Sequence, residues 1–149
     1  MKKFAFLFIM AVAAFSIQAK DILPEHVPAN VRAYFNKHYP NARDVEWNMK
    51  DRGAYYKVEF EINGEDGKLK ITSDGKAFYV KEPISIKEVP SSITRYIKDN
   101  YDSADILKAK RKIEHGQTKY DIYVVFRSER GYTRHRNLIF DSKGNIIKG

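Results

Sequence analysis

VPANVRAYFNKHYPNARDVEW (residues 27–47) returns 62 positions later as VPSSITRYIKDNYDSADILKA (residues 89–109). The two stretches pair Val27 with Val89, Pro28 with Pro90, Val31 with Ile93 and Tyr34 with Tyr96. Phe35/Ile97, Tyr39/Tyr101, Ala42/Ala104 and Val45/Leu107 continue the match. Nearly all of these positions suit a core, while the positions between them have diverged. That pattern marks a duplicated structural unit.

Within each copy the apolar residues draw a helical stripe. Val31, Tyr34, Phe35 and Tyr39 follow i, i+3, i+4, i+8, and so do Ile93, Tyr96, Ile97 and Tyr101. Pro28 and Pro90 fall where a first helical turn accepts proline, because the missing N–H would have had no intrahelical partner. Pro40 ends the first helix, and Asn100 to Ser103 end the second.

The period then changes from 3.6 to 2. Val45, Trp47 and Met49 alternate with Glu46 and Asn48, and Tyr56, Val58, Phe60 and Ile62 alternate with Tyr55, Lys57, Glu59 and Glu61. Leu69 with Ile71 and then Phe78 to Val80 supply two more strands. The breaks fall at 51–53, 63–67 and 74–75, where Asp-Gly is a hairpin signal with positive φ expected at both residues. The second copy reads Ile106–Ile113, a turn at His115-Gly116, Tyr120–Arg127, a turn at Gly131, Tyr132–Phe140, and a last strand at Ile146-Ile147 after DSKGN (141–145). The expected class is α+β: two tandem units, each a helix plus a four-stranded antiparallel meander, with the helices packed on one sheet face. The first unit spans 20–85 and the second 86–149.

Lys2 and Lys3 precede an apolar run from Phe4 to Phe15, and Ile17-Gln18-Ala19 ends in a small residue. These are the parts of a secretory signal peptide over 1–19, too short to span a bilayer. No cysteine occurs, so neither a lipid-modified cysteine, a disulfide nor thiol chemistry is available. The expected location is the periplasm or the exterior, with no stable membrane span after cleavage. Residues 20–85 carry 11 Lys/Arg against 11 Asp/Glu, whereas 86–149 carry 14 against 8. Such asymmetry attracts anionic partners; for an exported chain these are acidic proteins, glycans or phosphates rather than nucleic acid.

Catalytic patterns are missing from the sequence. His26, His38, His115 and His135 stand apart with no ligand spacing around them. There is no Gly-x-Ser-x-Gly elbow, Ser91 and Ser92 fall where helix caps are expected, and no glycine-rich loop links a strand to a helix. The reading is therefore non-enzymatic, without cofactor or metal.

LPEHVPANVRAYFNKHYPNARDVEW (23–47), the Tyr56-x-Val58-x-Phe60 strand and the SDGK hairpin (73–76) resemble the PepSY-like family of exported Bacteroidetes proteins, which are similar in shape to the β-lactamase inhibitory protein. The resemblance covers 20–149. It implies that the two units join into one curved sheet, and it implies an association with peptidase or β-lactamase inhibition. It also raises calcium, for which NGEDGK (63–68) with Glu61, Glu65 and Asp66 offers fewer oxygens than a calcium loop uses; a solvated hairpin turn is the simpler reading.

Ten tyrosines are a high count for this length. By strand parity Tyr55, Lys57, Glu59, Tyr123 and Arg127 lie on the uncovered sheet face, and Tyr and Arg are enriched at interfaces. Ordinary strand preference of aromatic residues is the alternative. The preferred reading is a binding module that presents this face to an envelope or secreted protein or peptide, sterically inhibiting a hydrolase. The other is an anionic small molecule or envelope polymer held by Lys108, Lys110, Lys112, Arg134 and Arg136. KAKRK (108–112) also fits a solvated strand edge that resists aggregation.

The leader predicts cleavage after Ala19. N-terminal sequencing of exported protein should begin at Lys20, and a full-length membrane-retained chain would contradict it.

Overall fold

The alternating runs pair in chain order. The structure, a computed structural model, describes residues 21–149; the leader read at 1–19 lies outside the described residues. Nine strands form one antiparallel sheet in the order β1 to β9. They are β1 (Asp21–Ile22), β2 (Arg43–Lys50), β3 (Tyr55–Ile62), β4 (Glu65–Thr72), β5 (Ala77–Pro83), β6 (Asp102–Glu114), β7 (Gln117–Arg127), β8 (Thr133–Asp141) and β9 (Ile146–Lys148). Helix α1 (Ala29–His38) precedes β2–β5, and α2 (Ser91–Asn100) precedes β6–β9.

Pro28 and Pro90 occupy the N-cap positions, one residue earlier than expected, with ψ near 140°. A proline there still costs no hydrogen bond, and its extended backbone turns the chain into the helix. Ser91 and Ser92 thus lie inside the first turn of α2 rather than at its cap.

Two core clusters sit under the helices. Val31 and Phe35 of α1 pack on Trp47, Tyr56, Val58, Phe60, Leu69 and Ile71. Ile93 and Ile97 of α2 pack on Ala109, Ile122, Val124, Leu138 and Phe140. Each fully buried aliphatic or aromatic side chain contributes roughly 1.5–3 kcal/mol. The β5–β6 register sets Val80 opposite Ile113, so the inward residues of the two halves share one sheet face. Both helices therefore cover the same side.

Several expectations are corrected. A ninth strand, β1, pairs with Asn48 and Trp47 of β2. Asn48, expected to face water, is 6% exposed, and its Nδ2 donates to Asp21 Oδ1 at 2.8 Å. Met49 and Leu107, expected inward, are exposed. The ladders slip between Arg43 and Glu46 and between Ile106 and Lys108. The second slip keeps Ile106 and Ala109 on the core side and leaves Leu107 out, as a bulge does.

The turns differ too. Only Asn63-Gly64, both with positive φ, links β3 to β4. Glu65, Asp66 and Gly67 belong to β4, and Gly67 faces Phe60, whose ring lies 2.5 Å from where a Cβ would be. At Asp74-Gly75 only Gly75 has positive φ, and Thr72 to Lys76 close a longer loop. The corresponding loop, Asp141 to Asn145, has the same backbone bonds, and Gly144 approaches Ser92 so closely that a Cβ would strike its hydroxyl.

Val58→Asp and Ile122→Asp should each unfold the protein or cost several kcal/mol, because both sites are fully buried and a carboxylate there finds no partner. Lys57→Asp and Asp121→Lys, on the other face, should change stability by less than about 1 kcal/mol. Thermal melts of the four variants check the face assignment.

Candidate functional site: the open sheet face

The face away from the helices is built by register, row by row. Lys57 stands opposite Lys70, Lys70 opposite Tyr79, and Tyr79 opposite Glu114. The next row runs Glu59, Lys68, Lys81, Lys112, Lys119 and Asp141 across six strands. Like charges directly opposite one another destabilise a sheet, so four successive lysines are an energetic cost. Acids relieve part of it. Glu59 takes hydrogen bonds from Lys57 and Lys68 at 2.7 Å each, and these hold its carboxyl below the usual carboxylate range. Glu114 holds Lys112 at 2.7 Å. Lys70 and Lys112 both lie over the ring of Tyr79, at 5.1 and 5.3 Å from its centroid.

The five anchors expected from sequence all lie on this face, but not together. Tyr55, Lys57 and Glu59 occupy β3, whereas Tyr123 and Arg127 occupy β7. Following the ladders, Tyr55 and Tyr123 are four strands and four two-residue steps apart, or roughly 30 Å at ordinary strand spacings. They mark opposite corners. At the first, Tyr55 meets Phe78 edge-on at 5.3 Å, with Phe78 44% exposed. At the second, Tyr123 stacks on His135 at 5.7 Å.

The five basic residues of the second patch are also divided. Lys108, Lys110 and Lys112 lie on the open face. Lys108 and Lys110 turn to Glu65, at 2.8 and 3.9 Å. Arg134 and Arg136 stand opposite Phe126 and Val124 and so belong to the helix side. The Arg136 guanidinium lies 5.9 Å from the rings of both Tyr101 and Phe126. Glu61, Glu65 and Asp66 do not converge: Glu61 and Asp66 face each other across β3 and β4, and Glu65 is taken by the lysines. Among the described residues no three His, Cys, Asp or Glu side chains form a metal-sized cluster.

Phe78, Tyr79 and the lysine row were not singled out from sequence. Alternating lysines are visible in each strand, but their alignment depends on hairpin registers and on the slip in β4–β5.

On the helix side a polar joint links the halves. Tyr39, the C-cap residue of α1, donates to Glu82 Oε2 of β5 at 2.5 Å, and Arg111 of β6 donates through Nε to Glu82 Oε1 at 2.9 Å and through a second nitrogen. Burial, reinforced by the bond to Glu82, pushes the Tyr39 phenol well above the ordinary tyrosine range.

The family model that matches is provisionally described as beta-lactamase-inhibitor-like, PepSY-like, and it matches residues 15–78 and 54–148. The chain belongs to this PepSY-like family. No curated protein matches it. Among solved structures it is similar to a DUF2874 family protein from Bacteroides uniformis, at 22% identity and TM-score 0.50, over 81% of this chain and 86% of that one. It is similar also to a protein from Bacteroides eggerthii, provisionally assigned to the periplasm, at 20% identity and TM-score 0.51, over 83% and 87%. A BLIP-like protein from Bacteroides fragilis follows at 18% identity and TM-score 0.47, over 85% of each chain. Among the described residues no helix is long and apolar enough to cross a membrane.

Tyr39→Phe should cost about 1.5 kcal/mol, the low end for a hydrogen bond to a charged group. Glu82→Gln should cost more, about 2 kcal/mol, because Arg111 then keeps a half-buried charge without its counter-ion. The unfolded chain releases the Tyr39 proton near pH 10 while the folded chain retains it. Deprotonation thus favours unfolding, and stability falls as pH rises past about 10. Denaturant titrations at pH 8 and pH 10.5 should show a smaller fall for Tyr39→Phe than for the parent.

Proposed function

We propose that the chain is a non-enzymatic periplasmic binding module that presents its open sheet face to a protein or peptide partner. In this reading it acts by steric inhibition of a secreted or envelope hydrolase. Residues 1–19 export it, and 20–85 and 86–149 are tandem copies of one helix-plus-meander unit. The observation that carries the reading is the placement of both helices on one side. It leaves the other face of nine strands uncovered, with the half-buried Tyr55 against the exposed Phe78 at one corner. Aromatic pairs of this kind are the common anchors of protein interfaces. The lysine row beside them steers an acidic partner and sets its register. The family's beta-lactamase-inhibitor-like description supports the same reading.

The anionic-ligand reading has less geometric support. Its lysines are engaged by Glu65 and Glu114, and its arginines lie on the other face.

With a partner recovered from envelope extract, titration calorimetry should show Tyr55→Ala with Phe78→Ala weakening binding by about 2 kcal/mol or more. Lys37→Ser, on α1, should leave it unchanged. If replacing Lys108, Lys110 and Lys112 by Ser abolishes binding while the aromatic double variant retains it, the anionic reading takes over.

A further inference from the structure

The sheet is unfinished along one edge. Strand β8 pairs with β7 over its whole length, but β9 meets it only at Ile139 and Phe140. Among the described residues, Thr133 to Leu138 are therefore paired on one side alone. That leaves a run of backbone N–H and C=O groups facing outward in extended conformation, a template for another strand. Edge strands are usually blunted by charge, and this one is charged with a single sign.

Arg134 and Arg136 alternate with Thr133, His135 and Asn137, so both arginines project on the helix side, two residues apart. Arg136 is steadied by the rings of Tyr101 and Phe126. Arg134 lines a cleft of about 810 Å³ with Arg127, Arg130 and the exposed Tyr132. Asp102 and Glu129 also line the cleft, yet none of these four arginines forms an ion pair among the described residues.

We propose that the β8 edge from Thr133 to Leu138 receives an extended acidic peptide segment as an added strand. This site is separate from the open face and does not depend on that face binding anything. Lys148 pairs with Ile139, so an added strand antiparallel to β8 continues the line of β9. Side chains of a strand return to the same face every second residue, about 6.8 Å apart. A segment with carboxylates at alternate positions therefore matches Arg134 and Arg136 tooth for tooth, and arginine's fork pairs with carboxylates in bidentate fashion. Backbone bonds supply affinity and the two arginines supply selectivity, as in strand addition generally. The same arginines repel one another between like copies and so discourage self-pairing of the edge.

The probe is a short synthetic peptide alternating glutamate with valine, compared with its lysine–valine counterpart. The glutamate peptide should bind, with hydrogen exchange slowed at backbone amides within 133–138 and unchanged in β3 and β4. Arg134→Gln with Arg136→Gln should lower affinity about tenfold or more, with an unchanged melt. Lys108→Gln with Lys110→Gln, an equal loss of charge on the open face, should leave it within about twofold. The proposal is overturned if the glutamate peptide does not bind, or if the lysine peptide binds equally. Unaltered exchange at 133–138 on binding, or protection confined to the open face, also overturns it, since binding is then not strand addition. None of these results bears on Tyr55 and Phe78, so the open-face reading stands or falls separately.

Discussion

The pairing of β5 with β6 is the interaction on which the architecture depends. The first half alone is a short helix over five strands and the second a short helix over four, each a small core with two sheet edges. Setting Tyr79–Pro83 against Lys110–Glu114 turns two inner edges into one continuous ladder. It also aligns Val80 with Ile113, so both cores form on one side. Glu82 and Arg111 sit directly opposite each other in that ladder, and Tyr39 reaches down to the same carboxylate from the C-cap of α1. The joint thus ties a helix of the first half to strands of both.

The open face follows from that constraint. With the inward residues of both halves on one side, the polar residues of every strand align on the other, including lysines drawn from both halves. The row Lys68, Lys81, Lys112, Lys119 exists only because β5 meets β6 in this register. A slip of one residue at β5–β6 would turn the second half over relative to the first, breaking that row at Lys81 and setting the two cores on opposite faces. Charge repulsion within the row is smaller than the burial lost in such a slip, so packing decides and the lysines follow.

Much of this was legible in the sequence, for identifiable reasons. Val58 and Ile122 announced their face because period 2 runs unbroken through β3 and β7. Val31 and Ile93 announced theirs through the helical stripe. Leu107 was misread because a bulge changes parity and leaves no composition signal, whereas Met49 keeps the parity of Trp47, opposite Tyr56, and is exposed near the end of β2. Gly67 was taken for a turn residue; it is in fact the space that the Phe60 ring fills across the strand pair. Two residues, Asp21 and Ile22, are too few to show alternation, so β1 stayed hidden. The separation of Arg134 and Arg136 from the lysines of β6 needed the β7–β8 register, and the distance between Tyr55 and Tyr123 needed the whole ladder.

Trp47 is the one tryptophan and lies in the core of the first half, which gives the most direct test of the joined sheet. Urea unfolding should be followed by Trp47 fluorescence and by far-UV circular dichroism on the same samples. If the β5–β6 joint makes the halves one cooperative unit, the two transitions coincide with the same midpoint and slope. Fluorescence that changes in a separate transition, with part of the dichroism surviving it, would show two independently folding halves and contradict the account.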